Sequence, residues 1–169
     1  TTPYCDIHTP GAGVGGHCIP YYPYFLINQF DADAKLMQTA REINDSMPAF
    51  TVDKLLEGFN ETNVKLAEST VLVLGLTYRS GVEEIRHAPS IPIVKLLVGH
   101  GVSVYVVDPI LDSFEAFDGV TPIEQSNIYE LDPDGIVLVT AHEEFNTIEW
   151  DRFEDIVIVD GRDVIEANS

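Results

Sequence analysis

The chain has 169 residues, 45% of them hydrophobic, enough for one ordinary domain with a proper core or for a core plus an appendage. Its 28 Asp and Glu against 9 Lys and Arg give a formal net charge of −19, spread along the whole chain, and that sign excludes a nucleic-acid binder. The longest apolar runs fall far short of the roughly 18 residues of a membrane span, no basic stretch precedes an apolar one as in a signal peptide, and Cys5 and Cys18 form no disulfide framework, so no membrane partner and a reducing, cytoplasmic setting are expected.

Thr1 to Pro20 reads as a loop, followed by a short helix from about Tyr22 to Gln29. Asp31 or Asp33 can cap a second, longer helix. In it Leu36, Ala40, Ile43 and Met47 recur at spacings of three and four, one helical face. Pro48 is expected to bend or interrupt this helix. Val52, Leu55, Leu56 and Phe59 continue an apolar face, and Gly58 with residues 60–63 marks the exit. Two helices alone cannot bury both of these faces, which predicts an interface role rather than a free-standing bundle.

From Glu68 the pattern changes. Val71 to Leu74 is a continuous apolar run ended by Gly75, the signature of a buried parallel strand. A helix is expected over Ile91 to Val98, stopped by Gly99 to Gly101. Val102 to Val107 reads as a second buried strand, closed by Asp108-Pro109. Val120 to Ile123 reads as a short third, Ser126 to Leu131 as a short helix, and Ile136 to Val139 and Ile156 to Val159 as the last strands. Asn146 or Thr147 is the expected cap of a helix between those two. Alternating strand and helix with short turns predicts an α/β fold: a helical segment over 1–66, then a parallel sheet with right-handed crossovers over 67–169. Ligands of such sheets sit at the carboxyl ends of the strands, where Gly75 to Arg79, Asp108, Ala141-His142 and Gly161-Arg162 fall.

The first loop carries the chemistry. Gly11, Gly13, Gly15 and Gly16 crowd the stretch before His17-Cys18, letting backbone approach a ligand closely. Pro20 and Pro23 suit a first helical turn. A cysteine between a glycine loop and a helix start is how a covalent nucleophile beside a bound anion can be built. The run also matches G-x-G-x-x-G by letter. A dinucleotide fingerprint needs a buried strand before it, however, and Thr1 to Pro10 supplies none. Cys5, His8, His17 and Cys18 raise the question of zinc; adjacent His17 and Cys18 would struggle to ligate one tetrahedral ion, so no metal is expected. Glu143 and Glu144 read as a solvated face.

The stretch from Pro10 to Leu26, PGAGVGGHCIPYYPYFL, resembles the active-site segment of the UDP-glucose/GDP-mannose dehydrogenase family, and its His-Cys pair resembles the branch acting on UDP-N-acetylhexosamines. Ala40 to Pro48 is similar to the family's central helix. Val71 to Arg79, Glu84 to Ser90, Val106 to Pro109 and Asp160 to Arg162 are similar to its C-terminal domain, in the same order. The resemblance implies a Rossmann-like sheet that binds a UDP-sugar, a central dimer-forming segment over residues 31–60, NAD as cofactor, and oxidation of a sugar CH2OH to a uronate for a surface glycan. It implies that Cys18 adds to the aldehyde formed by the first hydride transfer. The thiohemiacetal then loses a second hydride, and water hydrolyses the thioester. It further implies substrate contacts from Gly13, Gly15, Gly16, His17, Arg79 and Arg162, and a cofactor contact from Arg86.

One position departs from that pattern: four residues after the cysteine the family carries an aspartate, and here stands Tyr22. A phenol titrates at about 10 and cannot replace a carboxylate as general base near neutral pH. A noncatalytic nucleotide-sugar-binding or dimerisation module is therefore the rival expectation. The family's NAD domain and the helix bearing its catalytic lysine do not match residues before the cysteine loop, so the chain is expected to be the C-terminal half of a longer enzyme, inactive alone. Finally, the self-repulsion of −19 charges destabilises a compact state unless salt screens it, which predicts a halophilic source.

Overall fold

In the computed structural model, which describes residues 9–29 and 33–165, five strands form one wholly parallel sheet. β1 (Thr70–Leu74) is central. β2 (Ser103–Val107) and β4 (Gly135–Leu138) flank it, and β3 (Val120–Pro122) and β5 (Val157–Asp160) form the edges, in the order β3-β2-β1-β4-β5. The chain thus leaves β1 toward one side of the sheet and returns on the other. That reversal opens a crevice at the carboxyl ends of β1 and β4.

Side chains alternate across a strand, and the two faces of this sheet have different covers. Val71, Val73, Val104, Val106, Val137 and Val139 face the α2 helix (Lys35–Thr62) and the α3 helix (Ser90–Gly99), meeting Val52, Leu55, Phe59, Ile93, Val94 and Leu97. Leu72, Leu74, Ile136 and Leu138 face the other way, onto Ile128, Phe145, Ile148 and Phe153. The α/β fold is as expected. The second cover is not: the helices expected over 126–131 and between the last two strands are short 3-10 turns at Gln125–Glu130, Glu143–Thr147 and Trp150–Phe153. Asn146 and Thr147 lie inside one of these turns rather than capping a helix. Ile148 takes an extended backbone (φ −72°, ψ 126°), which breaks the run and lets both Phe145 and Phe153 reach the sheet.

The short α1 helix is Tyr22–Gln29, as expected. Pro48 does not interrupt α2, which runs continuously past it. Proline in a helix interior costs roughly 3 kcal/mol. Beyond it Val52, Leu55 and Phe59 are buried on the sheet at roughly 1.5–3 kcal/mol each, which outweighs that cost. At the start of α2, Asp33 Oδ1 accepts the Lys35 N–H at 3.2 Å, although the cap position itself is Ala34; Asp31 lies outside the described residues. Asn63 ends the helix in the left-handed conformation (φ 59°).

Gly75 sets the geometry of the crevice. Its φ is +80°, and a Cβ there would stand 2.1 Å from the Thr140 carbonyl oxygen. Only glycine lets the chain leaving β1 pass this close to the chain leaving β4.

Candidate functional site

The glycine loop crosses the carboxyl ends of the strands from β5 to β1. At one end a Cβ on Gly11 would meet the Gly161 carbonyl; at the other, Gly15 and Gly16 lie against Tyr78 and His87. Gly16 has φ +92°, and a Cβ there would stand 3.0 Å from the Tyr78 ring, so a larger residue would push the loop off the sheet. Hydrogen bonds hold the loop from both sides. The Gly16 N–H donates to the Arg86 carbonyl at 2.9 Å, and the Val14 N–H donates to Asn44 Oδ1 of α2 at 2.9 Å.

Between loop and strand ends lies a pocket of about 410 Å³, within the roughly 300–1,000 Å³ of small-molecule sites. The loop contributes Gly13, Gly15, Gly16, His17 and Cys18; the sheet contributes Tyr78, Arg79, Thr140 and Arg162. Candidates spread over more than 140 positions of sequence therefore line one cavity. Arg86 does not line it: its guanidinium donates to His17 Nδ1 at 2.6 Å. His17 Nε2 then faces Glu84 Oε2 at 3.2 Å, so both ring nitrogens are engaged and the network assigns the proton to Nε2. The hydrogen bond from His17, with the Arg86 N–H and guanidinium, holds the Glu84 carboxyl below the ordinary carboxylate range. Cys18 is a free, exposed thiol. Its carbonyl accepts the N–H groups of Tyr21 and Tyr22 at 3.1 and 2.9 Å, which fixes it at the start of α1. Tyr22 is the first residue of that helix and 62% exposed. Cys5 and His8 lie outside the described residues, and among the described residues no group of three or more His, Cys, Asp and Glu could hold a metal ion.

The charges single out this pocket. Lys35, Arg41, Lys54, Lys65, Arg86 and Arg152 each stand beside an acidic partner. Among the described residues Arg79 and Arg162 have no such ion pair, and both line the pocket; Lys95, also without one, is exposed on α3. Arg162 is held in place, its Nε–H donating to the Val139 carbonyl at 2.7 Å. Burial pulls its guanidinium below the ordinary arginine range, yet it stays charged. A partly buried, unneutralised cation at strand ends is a site for an anion. Sequence reading passed over Ser80 and Thr140, which also line the pocket. Their only signal is position, just past the ends of β1 and β4.

NAD does not fit the crevice of this sheet. A dinucleotide fold places an acid at the end of its second strand to bind ribose hydroxyls. Here that acid is Asp108, whose side chain is fully buried and takes the N–H groups of Leu76 and Thr77 at 2.6 and 3.0 Å. Its acceptors are filled from within the fold.

Comparison with known proteins assigns the chain to two domains of one family. Residues 72–167 match the UDP binding domain of the UDP-glucose/GDP-mannose dehydrogenase family, and residues 2–46 match its central domain. A UDP-N-acetyl-D-mannosamine dehydrogenase of Pyrococcus horikoshii is 34% identical over 98% of this chain and 39% of its own length; one from Methanococcus maripaludis strain C7 is 32% identical over the same shares. Among solved structures, the P. horikoshii UDP-D-ManNAc dehydrogenase superposes with a TM-score of 0.76 at 33% identity, covering 98% of this chain and 39% of that one. An NDP-N-acetyl-D-galactosaminuronic acid dehydrogenase from Methanosarcina mazei Go1 superposes with 0.79 at 30% identity, covering 95% and 36%. The chain spans about two fifths of the length of the curated relatives it matches. It belongs to the UDP-glucose/GDP-mannose dehydrogenase family.

Proposed function

We propose that this chain forms the nucleotide-sugar pocket and supplies the thiol nucleophile of an NAD-dependent UDP-sugar 6-dehydrogenase. The observation that carries the reading is the pair of unneutralised arginines, Arg79 and Arg162, in a pocket that also holds Cys18. In a chain of net charge −19, two such cations in one cavity select a multiply charged anion, and guanidinium groups match phosphate oxygens. The diphosphate lies between Arg79 and Arg162, and the sugar points along the glycine loop toward Cys18. Gly13, Gly15 and Gly16 let it lie against backbone, and His17 borders it. The thiolate adds to the C6 aldehyde, forming a carbon–sulfur bond while the carbonyl oxygen takes a proton. In the assembled enzyme NAD would accept the hydrides, and Arg86, which donates to His17 of the cysteine loop, would be the residue of this chain to contact it. The relatives favour a UDP-N-acetylhexosamine such as UDP-ManNAc or UDP-GlcNAc, ahead of UDP-glucose. The division at residue 66 separates a helical segment, which pairs with a second copy through residues 31–60, from the UDP-binding sheet.

Titration calorimetry of UDP into the chain tests the pocket. UDP is expected to bind, and Arg79→Ala or Arg162→Ala to weaken it roughly 10- to 100-fold, the worth of one or two charge-assisted hydrogen bonds. No binding, or the same affinity in both variants, overturns the reading. The chemistry is tested by joining the chain to the NAD-binding part of the P. horikoshii relative and following NADH with a panel of UDP-sugars. Two NADH per sugar, lost in Cys18→Ala, is the expected result. UDP binding without NADH from any sugar favours the second reading, a noncatalytic nucleotide-sugar module, to which Tyr22 in place of a carboxylate points.

A further inference from the structure

The segment that brings Tyr78 and Arg79 to the pocket is held by buried side chains at the strand ends and the start of α3, of which Thr140 also lines the pocket. Asp108 Oδ2 accepts the Leu76 and Thr77 N–H groups, and its Oδ1 accepts those of Ile110 and Leu111, each at 3.1 Å. Thr140 Oγ1 donates to the Thr77 carbonyl at 2.6 Å, and Ser90 Oγ donates to the Leu76 carbonyl. His142 stands between these groups, 2% exposed, its ring edge-on to Phe145. Its Nε2 lies 3.2 Å from Asp108 Oδ2 and 3.0 Å from Thr77 Oγ1. Among the described residues its Nδ1 is buried with no partner.

These contacts fix the proton. Nε2 faces a carboxylate, so it carries the hydrogen; a proton on Nδ1 instead would leave a buried donor unpaired and set two lone pairs against each other. The Nε2–H is shared between Asp108 and Thr77 Oγ1. The Thr77 hydroxyl then spends its own hydrogen on the Arg79 carbonyl, at 3.2 Å. A continuous donor chain runs from His142, just past β4, through Thr77, just past β1, to the backbone of Arg79, which lines the pocket.

We infer that His142, with Asp108 and Thr77, is a positioning residue for phosphate binding: it orders the Thr77 hydroxyl and through it the backbone that aims Arg79. The inference rests on the proposed reading of the pocket as a UDP site. Buried networks of this kind are satisfied as a unit or fail as a unit. Removing the Nε2–H leaves the Thr77 hydroxyl free to turn to Asp108, and the Arg79 carbonyl loses its donor.

UDP is titrated into the 169-residue chain and four variants, well below each melting temperature. His142→Leu removes the donor and keeps most of the volume; His142→Gln places an amide N–H near the position of Nε2. His142→Leu is expected to weaken UDP roughly 3- to 30-fold and His142→Gln to restore most of the loss. A role in general stability alone would also lower the melting temperature, so the deciding variant is Arg79→Ala combined with His142→Leu. If His142 acts through Arg79, the double variant binds about as weakly as Arg79→Ala alone. Losses that multiply, or wild-type affinity in His142→Leu, overturn the inference while the UDP site stands. No UDP binding by the wild-type chain overturns both. Should His142→Leu fail to fold, Thr77→Val, which breaks the same relay at its middle, is expected to show the same dependence on Arg79 and overturns the inference if it does not.

Discussion

Asp108 is a buried carboxyl whose ionisation the fold controls. Burial alone would raise its pKa, but hydrogen bonds from His142 and from the N–H groups of Leu76, Thr77 and Ile110 outweigh it and hold the carboxyl below the ordinary range. The folded chain therefore takes this proton less readily than the unfolded chain. Its stabilisation is complete above the unfolded value of about 3.9 and is lost as pH falls through the depressed folded value. Asp108→Asn is expected to cost roughly 1.5–3 kcal/mol at neutral pH, the worth of hydrogen bonds to a charged group. The gap between wild type and variant should then close as the pH of the melting experiment drops below about 4. A gap that stays constant into acid shows that the carboxylate charge is not what these donors require. Residues with a motif around them were legible in the sequence, and the chain does bring Cys18, Arg79 and Arg162 into one cavity. Thr140 and the link from Thr77 to His142 were not legible, because the partners lie 63 and 65 positions apart and only strand pairing brings them together.

α2 has two characters along its length. Its second half packs on the sheet, with Val52, Leu55 and Phe59 at 2% exposure or less. In its first half Leu36 is 84% and Ile43 58% exposed, and Phe50 continues the open surface at 50%. Of the face expected over Leu36, Ala40, Ile43 and Met47, the first three residues are exposed in the described chain and Met47 is half-buried. A second copy is the proposed cover. Ile43→Glu with Leu36→Glu is expected to convert a dimer into a monomer in sedimentation and to lower the melting temperature only by what dimerisation adds, since both side chains are open to solvent in the single chain. A wild-type chain that sediments as a monomer at every concentration sinks the proposal. The strands were legible for a related reason: Val71 to Leu74 and Ile136 to Leu138 are buried on both faces, so the sequence is apolar without interruption. The 3-10 turns were not, because Phe145, Ile148 and Phe153 stand at i, i+3 and i+8, which one helical face also presents, so spacing alone does not separate a helix from two short turns broken at Ile148.

Across the whole molecule the balance of charge sets two opposing responses to salt. The nine basic residues, six of them beside an acidic partner, offset only nine of the 28 Asp and Glu. The remaining repulsion acts on the folded chain more than on the expanded one, because folding brings the charges closer together. Screening lengths fall from about 10 Å at 0.1 M salt to about 3 Å at 1 M, so KCl relieves that repulsion within the first molar. The melting temperature is therefore expected to climb as KCl rises toward molar levels, as in a protein of halophilic origin. The attraction of Arg79 and Arg162 for a diphosphate is screened by the same ions, so UDP affinity is expected to fall over the range in which stability rises. Arg162, partly withdrawn from solvent, should lose less of its contribution than exposed Arg79. Calorimetric titrations of wild type and the two alanine variants at low and molar KCl separate these effects. A melting temperature that is flat or falls with KCl removes the halophilic reading. A UDP affinity indifferent to salt argues that the nucleotide is held by its base and ribose, with the two arginines contributing little through charge.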